Sequence, residues 1–203
     1  MAANYMRYVA GINLGGVSYA QAARKHGTWA LGLQFAGYGT MKQTDATGVI
    51  TGSFSPKDIL LNGLYAHDIT SSLRGGIQAK LLYSSYESYT ALAMFFDLGI
   101  NYYHAEKELS LSLVVKNLGG QLKKYDTENI AMPWDIQLGF SKTLHNVPFR
   151  FSITAQHLTR WHLPFEKVND AGELEVKDNF ASNLFRHLVF GVDYIPSRNF
   201  YLA

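Results

Sequence analysis

Leu92-Ala-Met-Phe-Phe-Asp-Leu-Gly-Ile-Asn-Tyr102 is the stretch on which the reading of the whole chain turns. Every second residue, Leu92, Met94, Phe96, Leu98, Ile100 and Tyr102, is large and apolar. Between them stand Ala93, Phe95, Asp97, Gly99 and Asn101, mostly small or polar. Successive side chains of a strand point to opposite faces, so this segment predicts a strand with one greasy face and one polar face. The greasy face ends on an aromatic residue, as membrane-facing strands often do at the interface. The six large residues are therefore expected to face lipid, and Ala93, Asp97, Gly99 and Asn101 to face inward.

Working outward, the same alternation recurs in eight further segments. Ile12 to Gln21 is the least regular, and Gly15-Gly16 predicts a bulge where the greasy face changes phase. Thr28 to Tyr38, Lys57 to His67 and Leu73 to Tyr83 follow, then Leu109 to Asn117, Trp134 to Leu144, Phe149 to Leu158 and Phe185 to Ile195. Each is about 9–11 residues long, the length a tilted strand needs to cross a bilayer. The connections alternate as well. Those near Lys25-His26-Gly27, His67-Asp68, His104 to Lys107, His145-Asn146 and Pro196 to Arg198 are short. Met41 to Pro56, Ser84 to Ala91, Gly119 to Pro133 and Thr159 to Leu184 are longer. Short turns on one rim and long loops on the other are expected of an outer-membrane barrel, with the short side periplasmic.

Composition agrees with this class. The 203 residues are 47% hydrophobic and only 17% charged, with 13 Tyr, 12 Phe and 18 Gly. Mean hydropathy is −0.07, far too low for a helical membrane protein. No apolar run approaches the ~18 residues of a spanning helix. A transmembrane barrel hides its hydrophobicity by alternation and gives this profile. A net charge of +2 argues against nucleic acid as a partner. With no cysteine, disulfide scaffolds and thiolate metal sites are excluded. Met1-Ala-Ala-Asn-Tyr-Met-Arg7 lacks the pattern of a secretory signal, and Phe200-Tyr-Leu-Ala203 reads as a strand just begun. The expectation is one domain over residues 1–203, part of a longer barrel whose N-terminal and closing strands lie outside it.

Chemistry is sparse. His26, His67, His104 and His145 fall in successive short turns, about 10 Å apart by strand spacing, too far to share a metal at ~2 Å. Neither G-x-S-x-G nor H-E-x-x-H occurs, and no His stands beside Ser84, Ser85, Ser110 or Ser112 at one height. The chain is therefore expected to have no catalytic site, no metal and no cofactor. The inward charges are more coherent. Arg74, Lys80, Lys116 and Arg150 share a face with Asp97, Asp135 and Asp193. A charge facing lipid near the midplane would cost about 2–4 kcal/mol, so their phase marks the inside. Arg74, Lys80, Asp97 and Lys116 are expected to form a salt-bridged cluster filling the interior, with Asp97 between Lys80 and Lys116. The loop from Thr159 to Asn183 carries Trp161, Phe165, Glu173 and Phe180 among mixed charges. Aromatic and charged residues together suit a protein-docking surface.

Four stretches carry a family resemblance: Leu82 to Tyr89, Leu113 to Tyr125, Met132 to Leu144, and Pro148-Phe-Arg-Phe-Ser152. In this order they resemble the PorQ family of outer-membrane components of the type IX secretion system of Bacteroidota, related to PorV and to FadL-type barrels. The Lys116-Asn-Leu-Gly119 run within them belongs to the wider PorV-like group. The resemblance covers essentially the whole chain, as the middle of the family protein. It implies an all-β fold, an antiparallel transmembrane barrel of 14 strands in the intact family protein, of which this chain would hold about nine to ten. It also implies residence in the cell outer membrane without enzyme activity, in the attachment complex with PorU, PorV-type proteins and PorZ held by the outward loops. A FadL-like transporter of hydrophobic compounds is the alternative, and would need a greasy inner pocket.

Overall fold

Period-two alternation produces the strands, and among the described residues the chain is all-β apart from one short α-helix and short 3-10 turns. The computed structural model describes residues 1–23, 26–123, 133–163, 166–168, 174–176, 179–197 and 200–202. The strands are β1 (Ala2–Arg7), β2 (Asn13–Ala22), β3 (Thr28–Gly37), β4 (Met41–Thr44), β5 (Ile50–Phe54), β6 (Lys57–Asp68), β7 (Leu73–Tyr86) and β8 (Tyr89–His104). Then come β9 (Leu109–Lys123), β10 (Asp135–Thr143), β11 (Phe149–Ala155), β12 (Glu166–Val168) and β13 (Leu174–Val176). Helix α1 (Phe180–His187) precedes β14 (Leu188–Ser197) and β15 (Phe200–Leu202). Eleven strands form one sheet in the order β1-β2-β3-β6-β7-β8-β9-β10-β11-β14-β15, while β4-β5 and β12-β13 are separate hairpins. Among the described residues β1 and β15 each have one neighbour in that sheet, which does not close on itself.

Two compact units divide these residues. The first holds Met1–His67, Gly76–Asp97 and Asn117–Pro133. Here register sets like against like: Val17 pairs Leu33 and Leu33 pairs Leu61, while Trp29 stands opposite Tyr65. The second holds Asp68–Gly75, Leu98–Lys116 and Trp134–Ala203. In it Leu111, Phe140, Ile153 and Phe190 lie opposite one another across four strands. Such cross-strand pairs each contribute roughly 0.2–1 kcal/mol, and a one-residue slip would turn every row to the other face.

Several expectations need correction. The sheet has eleven strands rather than nine or ten, because β1, which carries no alternation, pairs with β2. Gly15-Gly16 is not a bulge, since β2 keeps an unbroken register against both neighbours. A Cβ on Gly16 would come within 3.1 Å of the Asn4 side chain and 3.3 Å of the Leu33 carbonyl, so close approach explains a residue without one. Ser84 to Ala91 is no long loop: β7 runs to Tyr86 and β8 starts at Tyr89, with Glu87 at a φ of 52° making the turn. Phe185 to His187 are helical rather than extended. Phe185 is odd-numbered, out of phase with the outward Phe190, Val192 and Tyr194, and the Asn179 side chain caps the helix by accepting the Ser182 N–H at 2.7 Å.

The strand read as ending at Asn117 continues to Lys123. Asn117 has a φ of 58° and Gly119 a φ of 154°, so β9 is irregular here. This gives the Lys116-Asn-Leu-Gly119 run its physical meaning. Asn tolerates the left-handed conformation, and a Cβ at Gly119 would lie 2.1 Å from the Met94 carbonyl oxygen. Gly119→Ala is therefore expected to destabilise the β8-β9 pairing by about 1–3 kcal/mol. Urea unfolding of the folded protein measures this; an unchanged midpoint would rule the close approach out.

Candidate functional site

On β8 burial runs opposite to that of a water-soluble strand. Ala93 is 4% exposed and Asp97 9%, whereas Leu98 is 45% exposed. Met94, Phe96, Ile100 and Tyr102 are exposed too, and Leu92 is half-buried. The same inversion holds elsewhere: Leu31, Leu33 and Phe35 on β3, Leu111 and Leu113 on β9, and Phe149, Phe151 and Ile153 on β11 are all exposed. Among the described residues the buried hydrophobics are Ala91, Ala93 and Phe95 alone. Burying one large apolar side chain gains about 1.5–3 kcal/mol, so a sheet in water would not leave so many out. In the second unit a shallow apolar groove on this face is walled by Ile100, Leu111, Leu113, Leu138, Phe140 and Ile153.

Aromatic residues gather near the short turns. In the first unit the Tyr19 and Trp29 rings are 5.5 Å apart, and Tyr65 donates its hydroxyl to the His26 carbonyl at 2.9 Å. In the second unit Phe149 and Tyr194 are 5.3 Å apart. Tyr and Trp have an apolar body and a polar tip, which suits the boundary between acyl chains and water.

The opposite face is polar and bonded. Lys80 Nζ lies 2.6 Å from Asp97 Oδ2, and Asp97 Oδ1 accepts the Asn117 N–H at 2.8 Å. The same carboxylate thus holds a neighbouring strand's cation and secures the irregularity in β9. Asp58 was missed by sequence reasoning. It accepts the Tyr38 hydroxyl at 2.6 Å and the Ser84 hydroxyl, and its place opposite the phase of Ile59 and Leu61 is the signal that could have found it. The hydrogen bond to Asp58 pushes the Tyr38 phenol well above its ordinary value. Arg150 meets Asp193, directly opposite on β14, at 2.7 Å.

Of the expected four-residue cluster, Lys80 and Asp97 pair within the first unit, while Arg74 and Lys116 belong to the second. Arg74 makes a two-pronged ion pair with Asp68, at 2.5 and 3.1 Å, where both side chains are well exposed. A bidentate partner beside the turn takes up the guanidinium. Lys116 stands in register opposite Asp135. Asp135 accepts the His157 N–H at 3.0 Å and the Gln137 side-chain amide at 3.2 Å. Among the described residues no group of three or more acids and histidines is placed to hold a metal.

No protein-family model matches the chain. No curated protein matches it significantly either.

In the connection between β11 and β14 the described residues bond one another. From α1, Asn183 accepts the Leu163 N–H at 3.1 Å and donates its amide to the Trp161 carbonyl. His187 places Nδ1 2.8 Å from the Gln156 carbonyl and Nε2 2.9 Å from that of Trp161. The Trp161 ring stacks on His187 at 5.0 Å and tilts against Phe180 at 5.9 Å. Of the expected docking residues, Trp161 and Phe180 are thus brought together. Phe165 and Glu173 lie outside the described residues.

At the β4-β5 hairpin, Asp45 Oδ1 accepts the Thr47 N–H and hydroxyl at 2.9 and 2.7 Å and the Val49 N–H at 2.9 Å. These bonds, the Thr47 hydroxyl first, lower the Asp45 pKa. A carboxylate with a depressed folded pKa stabilises above its unfolded value, and that contribution is lost as pH falls through the folded one. Protection of the Thr47 and Val49 amides from hydrogen exchange should therefore decline only as pH drops below about 4. Loss of protection between neutrality and pH ~5 would contradict the assignment to Asp45.

Proposed function

We propose that this chain is the wall of a non-catalytic outer-membrane β-barrel that holds protein partners through its long connections. The observation that carries the reading is the inverted burial of β8, where Met94, Phe96, Leu98, Ile100 and Tyr102 are exposed while Ala93, Phe95 and Asp97 are covered. The long connections β3-β6, β9-β10 and β11-β14, set among short turns, support it, while β7 and β8 depart from the alternation by joining through a short turn. No described helix is long and apolar enough to cross a membrane.

The PorQ-like stretches extend the proposal to a component of the type IX secretion attachment complex. PorZ would then be held at the surface, in the company of PorU and PorV-type proteins. The mixed loop between β11 and β14 is the proposed contact, with Trp161 and Phe180 on its clamped side. Of the buried positions on β7 and β8, Ser84, Ala91, Ala93, Phe95 and Asp97, only Phe95 is large and apolar, which favours an anchor over a FadL-like transporter.

Two measurements test the proposal. The full-length protein should stay in the outer-membrane pellet after carbonate washing and migrate faster on gels unheated than boiled. Recovery in the soluble fraction would remove the membrane reading. Replacing residues 164–178 by a short Gly-Ser linker should leave that behaviour intact and abolish copurification of the surface partner. A partner still recovered in full would place docking elsewhere.

A further inference from the structure

Helix α1 repeats the inversion of the strands. Its covered side chains are polar, Asn183 at 2% exposure and His187 at 1%, while Phe180 and Phe185 are 70% and 64% exposed. A helix on a protein surface in water does the reverse, with its apolar stripe turned inward. Loose attachment does not explain the orientation. Asn183 and His187 bond the backbone of Gln156, Trp161 and Leu163, and Arg186 donates to the Leu163 carbonyl. The polar side is committed to this strap, and the two phenylalanines are left outside it.

What lies next to α1 identifies the occupant. His187 ends the helix and Leu188 begins β14 without a linker. The strand then continues with Phe190, Val192 and Tyr194 exposed on the face that the proposed membrane reading gives to lipid. Trp161, stacked on His187 and against Phe180, adds an amphipathic ring of the kind that settles at the membrane boundary.

We infer that α1 is an interfacial helix lying at the boundary between headgroups and acyl chains, with Phe180 and Phe185 against lipid, so that the lipid-facing surface of β14 continues beyond the strand. An eight-residue helix is about 12 Å long, enough to lie along the interface and too short to enter far. The inference rests on the membrane reading and adds to it, because it takes α1 out of the partner-docking surface.

The chain has no cysteine, so single spin labels can be placed cleanly. Phe185→Cys and Phe180→Cys are the test positions in the full-length protein reconstituted into phospholipid vesicles. Phe190→Cys serves as the strand reference, and Thr47→Cys, at the exposed hairpin tip, as the aqueous one. Collision with oxygen, which partitions into lipid, is compared with collision with a water-soluble nickel chelate. The expected result is an oxygen-to-nickel ratio at either helix position shifted to that of Phe190→Cys. Two aqueous helix labels beside a lipid-like Phe190→Cys would overturn the inference and leave the membrane reading standing. Aqueous values at Phe190→Cys as well would overturn both. Helix labels shielded from both reagents would mean a protein covers this face, and would overturn the inference.

Discussion

Asp97→Ala is expected to cost about 3–5 kcal/mol, the penalty for leaving one member of a covered ion pair without its partner. Lys80 would lose a carboxylate 2.6 Å away, and the Asn117 N–H would lose its acceptor at the irregularity in β9. Removing both charges together, as Lys80→Met with Asp97→Leu, should cost much less than Asp97→Ala alone, which leaves the ammonium with the neutral Asn117 side-chain oxygen at 3.0 Å in place of a carboxylate. A double-mutant cycle on urea unfolding in vesicles reads the coupling directly. If the Lys80 and Asp97 substitutions simply add, the pair is a bystander.

Phe96→Arg should destabilise the folded protein in a bilayer by about 2–4 kcal/mol, as a charge near the midplane of a barrel's lipid face does. Phe96 lies at the middle of the sixteen-residue β8, flanked on its exposed face by Met94 and Leu98. A surface substitution on a sheet in water changes stability by only about ±0.5 kcal/mol. The two environments therefore predict different magnitudes from the same mutation. The measurement is the free energy of reversible unfolding in short-chain phosphatidylcholine vesicles. A change within ~0.5 kcal/mol would mean that this face does not meet lipid.

Period two made most of the sheet legible before any coordinates. β8 was placed by Leu92 to Tyr102, and the pairing of Lys80 with Asp97 followed from phase and strand order. Elements without alternation could not be read in that way. β1 has no greasy face to betray it, and the hairpin β4-β5 is too short for a period to register, whereas the return arm of β12-β13 at Leu174 and Val176 is legible from the Gly172 turn signal. The Asn179 cap was a local signal overlooked beside a strand-like run. Contacts that depend on tertiary placement stayed hidden for a different reason. Asp58 meets Tyr38 from another strand and Ser84 from a stretch that reads as loop, and His187 finds its two carbonyls on a strap 26 and 31 residues earlier.

The inverted faces also bear on how such a chain travels before it folds. A membrane that retains proteins by their helices recognises a continuous apolar run of ~18 residues, and this chain offers none. Asp97 sits between Phe96 and Leu98, and Ser112 between Leu111 and Leu113, so each segment interrupts its own hydrophobicity at every second residue. Extended, the chain can be threaded through a translocation channel without being arrested. Its greasiness is assembled only when strands align side by side and the outward residues of many segments fall into one band. On the proposed membrane reading, insertion is deferred until pairing has taken place, and pairing creates the surface offered to lipid.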